Sequence, residues 1–484
     1  MPTRSALVAG LLLGLLAPAR ADTFKVSTGV GADLQDALDA AAAGDTVIVS
    51  GGPYVGNFTL GEGRDGLVIK GQATLDAQGG VSGLTINSSD VEVSGLTIRH
   101  STGPGLRGPV AGPPKLDGLR VTRCTFINCG DDVSGGAVSV TGDDVVLENC
   151  LAEGCDGGFA VIGNAALVTR CTVLLDGEHG VTITGDDAQV ISCTIDVIED
   201  QRGIEVSGLN ARILKNRVNN TDGIGISLED GDGGLIESNT VTNISEIGIS
   251  STGIGVRILR NKVSACTDEG IHSTGADVVI SRNRITVVGG DGIRSSSGDG
   301  VDVTKNRVDD VNDDAKGISV SGASAVIESN VVQDVAETGV SVSGSNATIR
   351  KNRVLRTAEN DAGFEVIGNG SVVEDNRAKD CDKNGFFISG DDIAVIGNKA
   401  LRCLDNGFLI FSTSSQNTLL EGNSALSCEG DGIENGGVGT VLRDNSSKKN
   451  AQDISNRTLA GASIIDGGGN SFVTGGFTTE PYVP

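Results

Sequence analysis

The sequence is almost without aromatic side chains. Its 484 residues include no tryptophan, two tyrosines and eleven phenylalanines. Bulky aromatic rings commonly fill the centre of a conventional globular domain, so this composition argues against such a domain. It also weakens any prediction of carbohydrate binding, because sugar sites usually place an aromatic face against the substrate.

Metal-binding motifs are also scarce. The chain has three histidines and ten cysteines but no Cys-x-x-Cys pair, so a zinc site is not expected. No other cofactor motif is evident. Asp-Gly and Asn-Gly pairs, such as those at Asp291 and Asn384, are turn formers first. They leave Ca²⁺ open as the one cofactor, with unknown ligands, because no calcium-loop spacing is present.

Long apolar runs are missing beyond the N-terminus. Residues 6–16 form an apolar run of eleven, which is too short to span a bilayer. Arg4 precedes this run, and the tripeptide ARA at 19–21 fits a small-x-small cleavage site. The pattern predicts a signal peptide at 1–21, no transmembrane segment, and a secreted protein, extracellular or periplasmic.

Basic residues are outnumbered by acidic ones. The chain has 37 Lys and Arg against 63 Asp and Glu, for a net charge of −26. Removal of residues 1–21 takes away two arginines and no acid, which leaves −28. Such a field disfavours nucleic acid and anionic membranes and favours cations or neutral molecules as partners. We assume a monomer.

Glycine is abundant and periodic. Thirteen of the 72 glycines recur at steps of 22 to 25 residues, each before a short apolar stretch: Gly158, Gly180, Gly203, Gly225, Gly248, Gly270, Gly292, Gly317, Gly339, Gly363, Gly385, Gly407 and Gly432. We call these the anchor glycines. A second position, thirteen or fourteen residues after most of them, is almost uniformly asparagine from Asn216 to Asn445. Because asparagine tolerates left-handed backbone and bonds to nearby main chain, this column predicts a stack of turns.

Between these marks, apolar and polar residues alternate. In 317–332, Ile318 and Val320 point one way while Ser319 and Ser321 point the other. This predicts three short strands per repeat, joined by tight turns. Leucine-rich repeats need L-x-x-L-x-L-x-x-N, calcium-binding rolls need a nine-residue period, and the chain has neither. We predict an all-β fold, a right-handed parallel β-helix solenoid of about 22 residues per coil with coils ~4.8 Å apart.

Both ends of such a solenoid need a cap. The segment GADLQDALDAAAAG at 31–44 predicts an N-terminal α-helical cap, with Asp33 as N-cap and Gly44 at C′. This segment, continuing to GGPYVGNF, resembles the entry into the pectate-lyase-like superfamily of right-handed β-helices. The resemblance implies the fold; the superfamily includes lyases, hydrolases, epimerases and adhesins. The predicted organisation is an N-terminal cap at 22–50, a β-helix at 51–450 with a Pro/Gly-rich loop insertion at 101–118, and an irregular C-terminal cap at 451–484.

The cysteines follow the repeat. Three occupy the asparagine position and five lie five residues after it. Export favours disulfides. However, Cys381, Cys403 and Cys428 stack on three successive coils and cannot all pair with one another. We favour a buried thiol ladder in which cysteine acts as a small hydrophobe, with disulfides as the alternative.

Residues with catalytic chemistry gather on a few coils. The outward position two residues after each anchor glycine is mostly small or bland, but it holds His272 and, one coil on, Arg294. The acids nearest to them in the repeat are Glu246, Asp268, Glu269 and Asp291. Together they could supply an acid, a base and a charge stabiliser, which makes them candidate catalytic residues. The alternative is a solvated face of mixed charge.

One short motif adds a further candidate. NTDGI at 220–224 resembles the polygalacturonase segment that carries a catalytic carboxylate, and the resemblance implies that role for Asp222. The family's following aspartate pair is absent, since NISEIG at 243–248 offers Glu246 alone, and its G-H-G and R-I-K motifs do not follow. Glycoside hydrolysis needs two positioned carboxylates, so one motif of four does not establish it.

A basic stripe flanks the asparagine column. With Glu205 from the outward position, its members are the candidate substrate-binding residues: Arg217, Arg260, Lys262, Arg284, Arg307 and Arg353. Such a stripe could track a linear anionic polysaccharide. Its alternative role is charge balance and protection against lateral strand pairing.

The sequence thus predicts an exported β-helix that engages extracellular or envelope polysaccharide, as a polyuronate lyase, an epimerase or a hydrolase. The alternative is a non-catalytic structural or adhesive surface rod, which the low aromatic content and the bland Ser and Thr rows favour.

Overall fold

A computed structural model describes residues 21–472, except for 109–114, 131–135, 175, 176, 178, 199, 200, 297, 313, 359, 360, 413 and 457–461. The predicted signal peptide lies outside the described residues, apart from its last residue. Most of the proline-rich part of the predicted loop insertion lies outside them as well.

The described chain is a right-handed parallel β-solenoid of about 19 turns with about 22 residues per turn. Each coil contributes short strands to three faces, and each strand pairs in parallel with its counterpart one coil away. The predicted fold class is thereby confirmed.

Face 1 begins at the anchor glycines. Its strands are Phe58–Leu60, Leu84–Ile86, Leu106–Arg107, Val138–Thr141, Gly157–Ile162, His179–Thr184, Ile204–Ser207, Ile226–Glu229, Ile249–Thr252, Ile271–Thr274, Ile293–Ser296, Ile318–Ser321, Val340–Ser343, Phe364–Ile367, Phe386–Ser389, Phe408–Ile410, Ile433–Asn435 and Ile454–Asn456. One of these strands, Leu106–Arg107, lies within the predicted loop insertion and pairs with both of its face 1 neighbours.

Face 2 precedes the asparagine turn. Its strands are Thr23–Val26, Glu92–Ser94, Arg120–Thr122, Val146–Glu148, Leu167–Thr169, Gln189–Ile191, Arg212–Leu214, Leu235–Glu237, Arg257–Leu259, Val279–Ser281, Asp302–Thr304, Val326–Glu328, Thr348–Arg350, Val372–Glu374, Ala394–Ile396, Leu419–Glu421, Thr440–Arg443 and Ile464–Asp466. Two long N-terminal strands, Thr46–Val55 and Val68–Asp76, span faces 2 and 3.

Face 3 follows the asparagine turn. Its strands are Thr97–Arg99, Thr125–Ile127, Leu151–Glu153, Thr172–Leu174, Thr194–Ile198, Arg217–Thr221, Thr240–Ile244, Lys262–Cys266, Arg284–Val288, Arg307–Val311, Val331–Val335, Arg353–Thr357, Arg377–Lys379, Lys399–Leu401, Ser424–Leu426, Ser446–Lys448 and Ser471–Phe472. The stack therefore continues into the region predicted as an irregular C-terminal cap.

Helix α1, Gly31–Ala40, covers the N-terminal end of the stack. Its Leu34 and Leu38 side chains are buried in the core. The helix begins after Val30, so Asp33 lies in the first turn and is not the N-cap that was predicted. A carboxylate in the first turn still interacts favourably with the helix dipole. No helix in the described part of the chain is long and apolar enough to cross a membrane.

The anchor glycines are needed because face 3 packs directly against them. A Cβ atom on Gly317 would lie 2.3 Å from Cγ1 of Val332 and 2.5 Å from the carbonyl oxygen of Gly339. The same holds at Gly270 and Gly292, with face 3 carbons at 2.5 and 2.4 Å. The sequence period thus records a steric requirement that each coil repeats.

The asparagine column forms a buried, continuous hydrogen-bonded ladder at the corner between faces 2 and 3. From Asn216 to Asn445, each Nδ2 donates to the Oδ1 of the next asparagine at 2.9–3.1 Å. Each Nδ2 also donates to a face 2 carbonyl, as from Asn306 to Ile280 at 2.8 Å. The left-handed residue is the one before the asparagine, such as Arg282 with φ 58°. The asparagine therefore acts as a hydrogen-bonding partner and not as the left-handed residue expected from its propensity.

All ten cysteines are unpaired and buried in the structure, as a thiol ladder requires. Burial raises the pKa of the Cys124 and Cys266 thiols to about 12, which keeps them protonated and unreactive.

We expect thiol titration to distinguish the ladder from disulfides. The native protein should react slowly with a thiol reagent, because the thiols are buried and protonated. After denaturation without reductant, all ten thiols should react. A loss of thiols in steps of two would show disulfides and contradict the ladder.

Candidate functional site

The outer surface of face 1 carries one stacked row of side chains, which we call the outer row. Strand pairing places its members in direct register along the axis: Ser250, His272, Arg294, Ser319, Ser341, Glu365, Phe387, Leu409 and Glu434. Each member lies two residues after an anchor glycine. The alternation of a β-strand turns it outward, while the residues before and after it face the core.

The turn that leads into each anchor glycine lies beside this row and bonds to it. Its last side chain reaches an outer-row residue on the next coil in several places. Arg294 Nη1 lies 3.2 Å from Glu269 Oε1, and Asn406 Nδ2 donates to Glu434 Oε2 at 2.8 Å. Face 1 and this turn therefore form one continuous polar surface.

The structure brings five of the predicted catalytic residues together. Glu269 pairs with Arg294, and His272 Nε2 lies 3.2 Å from Ser296 Oγ. Burial and the neighbouring Glu269 raise the pKa of Asp268. Asp291 Oδ1 accepts a hydrogen bond from the Lys316 backbone N–H at 2.8 Å.

The two remaining candidates lie at the margin of this group. Glu246 is exposed one coil before Asp268, and Asp222 is exposed one coil further away. Asp222 Oδ1 accepts a hydrogen bond from Ser245 Oγ at 3.1 Å. The structure therefore places Asp222 outside the group that contains His272.

A second group, which the sequence reasoning missed, lies further along the same surface. Lys316 Nζ lies 3.2 Å from Ser341 Oγ and 3.4 Å from Glu365 Oε2. Ser341 Oγ donates to Glu365 Oε2 at 2.7 Å. Lys316 is thus held over two successive members of the outer row.

Two carboxyl groups with altered acidity complete this second group. Burial raises the pKa of Glu337, and the carboxylates of Asp361, Asp291 and Asp314 raise it further. Burial also raises the pKa of Asp361, although a hydrogen bond from Thr338 Oγ1 and nearby Lys383 and Lys316 oppose the shift.

A sequence signal for this group existed in the repeat. The position two residues before the anchor glycine holds Glu246 and Asp268 and then, three and four coils after Asp268, Glu337 and Asp361.

An aromatic pair follows on the next coils. The rings of Phe387 and Phe411 lie 4.9 Å apart at 39°, and Phe411 is 43% exposed. Leu409 stacks beside Phe387 in the outer row. Asn384 occupies the turn position that bonds the outer row elsewhere, but its counterpart here is the apolar Leu409. Within the described residues, its buried Nδ2 has no hydrogen-bond acceptor.

The predicted substrate-binding residues divide between two surfaces. Glu205 lies on face 1, where its Oε1 is 2.5 Å from Arg202 Nη1. The other six flank the asparagine ladder at the opposite corner. In the described ranges, no group of three or more His, Cys, Asp or Glu side chains is arranged to hold a metal ion.

These features define a right-handed parallel β-solenoid protein with a polar, carboxyl-rich outer face. The chain belongs to the family described as right handed beta helix region, whose model matches residues 64–213, 202–354 and 316–476. No curated protein matches the chain.

Solved structures of similar fold include several enzymes, at low identity. A PL6 family alginate lyase is 10% identical over 94% of this chain and 100% of its own, with a TM-score of 0.38. The catalytic domain of a GH87 α-1,3-glucanase is 11% identical over 65% of each chain, with a TM-score of 0.38. The A-module of a mannuronan C-5 epimerase from Azotobacter vinelandii is 14% identical over 80% of this chain and 97% of its own, with a TM-score of 0.32.

Proposed function

We propose that the protein binds a neutral polysaccharide along face 1 and hydrolyses it by acid–base chemistry between carboxyl groups. The observation that carries this proposal is the second group on face 1, where Glu337 and Asp361 have raised pKa values one coil before an exposed phenylalanine pair. Glycoside hydrolysis uses two carboxyl groups, of which one must hold its proton.

The surroundings of the two carboxyl groups suggest their roles. Glu337 has three carboxylates around it, which favour its protonated form, so it suits the general acid. Asp361 receives a hydrogen bond from Thr338 and lies near two lysines, which favour its ionised form. In the reaction, Glu337 protonates the departing glycosidic oxygen as the C–O bond breaks. Asp361 takes the proton from the attacking water.

The phenylalanine pair fits the sugar rather than the reaction. The exposed faces of Phe387 and Phe411 offer an apolar platform to the C–H face of a pyranose ring. The low aromatic content of the chain weakened the case for carbohydrate binding, but these two rings lie beside the carboxyl groups.

A neutral glycan fits better than a polyuronate at this site. Glu337, Asp361, Glu365 and Asp291 surround a single Lys316 within the second group. A substrate that carries a carboxylate on every ring would be repelled there. Lyase or epimerase action on a polyuronate is therefore the weaker candidate.

A substrate screen tests the proposal. The protein is incubated with neutral glucans, xylans and mannans and with polyuronates, with and without Ca²⁺. New reducing ends from a neutral glycan support the proposal. Unsaturated products from a polyuronate would identify a lyase and overturn it. The absence of both products and of any glycan binding would favour the structural rod.

We expect the hydrolysis rate to fall on the alkaline side of its pH profile. Glu337 must be protonated to act, and its pKa is raised, so the fall should lie above the ordinary glutamate range. A rate profile measured from pH 4 to 9 shows its position. Replacement of Glu337 by aspartate should move this limb, whereas Glu421→Gln on face 2 should leave it in place. A limb at the ordinary glutamate pKa would contradict the assignment of Glu337.

A further inference from the structure

A dense row of positive charge runs along the corner between faces 2 and 3, away from face 1. We call it the basic edge. It comprises two cationic residues on each of three successive coils, one on either side of the buried asparagine: Arg260 and Lys262, Arg282 and Arg284, and Lys305 and Arg307. Parallel pairing sets Lys262, Arg284 and Arg307 in direct register.

This arrangement is unfavourable for the free protein. Like charges on directly paired strands repel one another at a spacing of ~4.8 Å. Only two carboxylates form ion pairs with the six cations in the described structure. Glu237 pairs with Arg260, and Asp309 contacts Arg307 at 2.6 Å and Arg284 at 3.7 Å.

Three members of the edge lack even this compensation. Lys262, Arg282 and Lys305 are exposed and form no ion pair with any described residue. The chain carries 63 acidic residues, so acids to neutralise this corner are abundant elsewhere in the repeat. The local excess of cations on an acidic protein points to an anionic partner.

The spacing of the charges is fixed by the ladder beneath them. Asn261, Asn283 and Asn306 are buried and bonded to one another at 3.1 Å. Arg260, Arg282 and Lys305 share the left-handed conformation, with φ between 55° and 58°. The backbone at each level is therefore the same, and the charges follow one another along a straight line.

We propose that the basic edge binds a linear acidic polysaccharide whose carboxylates meet successive coils. The edge is two cations wide, so it fits a single extended chain better than a membrane surface. Its neighbours carry hydroxyl groups suited to sugar, namely Ser264, Ser281, Thr286 and Thr304.

Single-stranded nucleic acid fits this edge less well. Such binding relies on aromatic side chains that stack against the bases, and residues 257–311 contain no phenylalanine, tyrosine or tryptophan.

The test compares two polymers with the same backbone and different charge. Polygalacturonate and its methyl ester are titrated against the full-length protein by calorimetry at low and physiological salt. The triple variant Lys262→Gln, Arg282→Gln, Lys305→Gln should bind polygalacturonate at least tenfold more weakly. Its salt dependence should also be shallower, because fewer ions are displaced. The conservative variant Lys262→Arg, Lys305→Arg should retain binding.

A charge-matched control isolates the edge from the net charge of the protein. Lys25→Gln, Lys70→Gln, Lys448→Gln removes three exposed lysines elsewhere and should leave the affinity unchanged. Equal losses in both triple variants would overturn the proposal, as would equal binding of the methyl ester or tighter binding of single-stranded DNA. Failure of hydrolysis at face 1 would not affect this result, because the two surfaces do not share residues.

Discussion

Replacement of Asn306 by alanine is expected to lower the free energy of unfolding by about 3–5 kcal/mol. The Asn306 side chain donates to Ile280 O at 2.8 Å and to Asn330 Oδ1 at 3.1 Å, and its Oδ1 accepts from the backbone and side chain of Asn283. Alanine leaves these partners buried without water, and each unsatisfied group costs ~1–3 kcal/mol.

Urea denaturation measures this change, and a matched variant controls for it. Asn312→Ala removes an exposed asparagine from the next turn of the same coil and should cost less than ~0.5 kcal/mol. If the two variants were equally stable, the ladder would contribute little and the fold would depend on apolar packing alone.

Replacement of Glu337 by glutamine is expected to reduce hydrolysis of the glycan by ~10²–10⁴-fold, because glutamine has no proton to give to the departing oxygen. Asp361→Asn should reduce it comparably by removing the base. Both variants keep the shape of the side chain. Glu421→Gln, which alters an exposed ion pair on face 2, should retain full activity.

Stability provides a second readout that separates catalysis from folding. The folded state raises the pKa of Glu337, so the folded protein binds this proton more tightly than the unfolded chain does. The contribution of Glu337 to stability therefore falls as the pH rises from the unfolded pKa to the folded one. At neutral pH, glutamine removes an ionised group that is partly desolvated, so the variant should be at least as stable as the parent. An inactive and destabilised variant would indicate a structural role instead.

The fold could be predicted because the same physical constraints recur in every coil. The close approach of face 3 leaves room only for glycine at Gly317 and its equivalents, and the ladder admits asparagine at one corner. Such constraints leave a period in the sequence. The start of α1 was misplaced by a few residues, because Asp33 suited an N-cap but the helix begins without a side-chain cap.

The candidate site was predicted only in part. The group around His272 was visible because histidine and arginine interrupt a bland row. Lys316 and Asp361 were not recognised, although the acids two residues before the anchor glycine formed a pattern. Their chemistry depends on burial at turns before Gly317 and Gly363, which end coils of 25 and 24 residues. Sequence spacing does not reveal which side chains those longer turns cover.

The asparagine ladder also gives the solenoid an electrical direction. Backbone hydrogen bonds between coils run both ways along the axis, but every side-chain amide in the ladder donates toward the C-terminal end. The amide dipoles therefore add, as peptide dipoles do in an α-helix, with the negative pole at Asn216 and the positive pole at Asn470. Each pole meets a compensating charge: Lys215 and Arg217 flank Asn216, and Asn470 Nδ2 donates to the carboxylate of Asp466 at 2.9 Å.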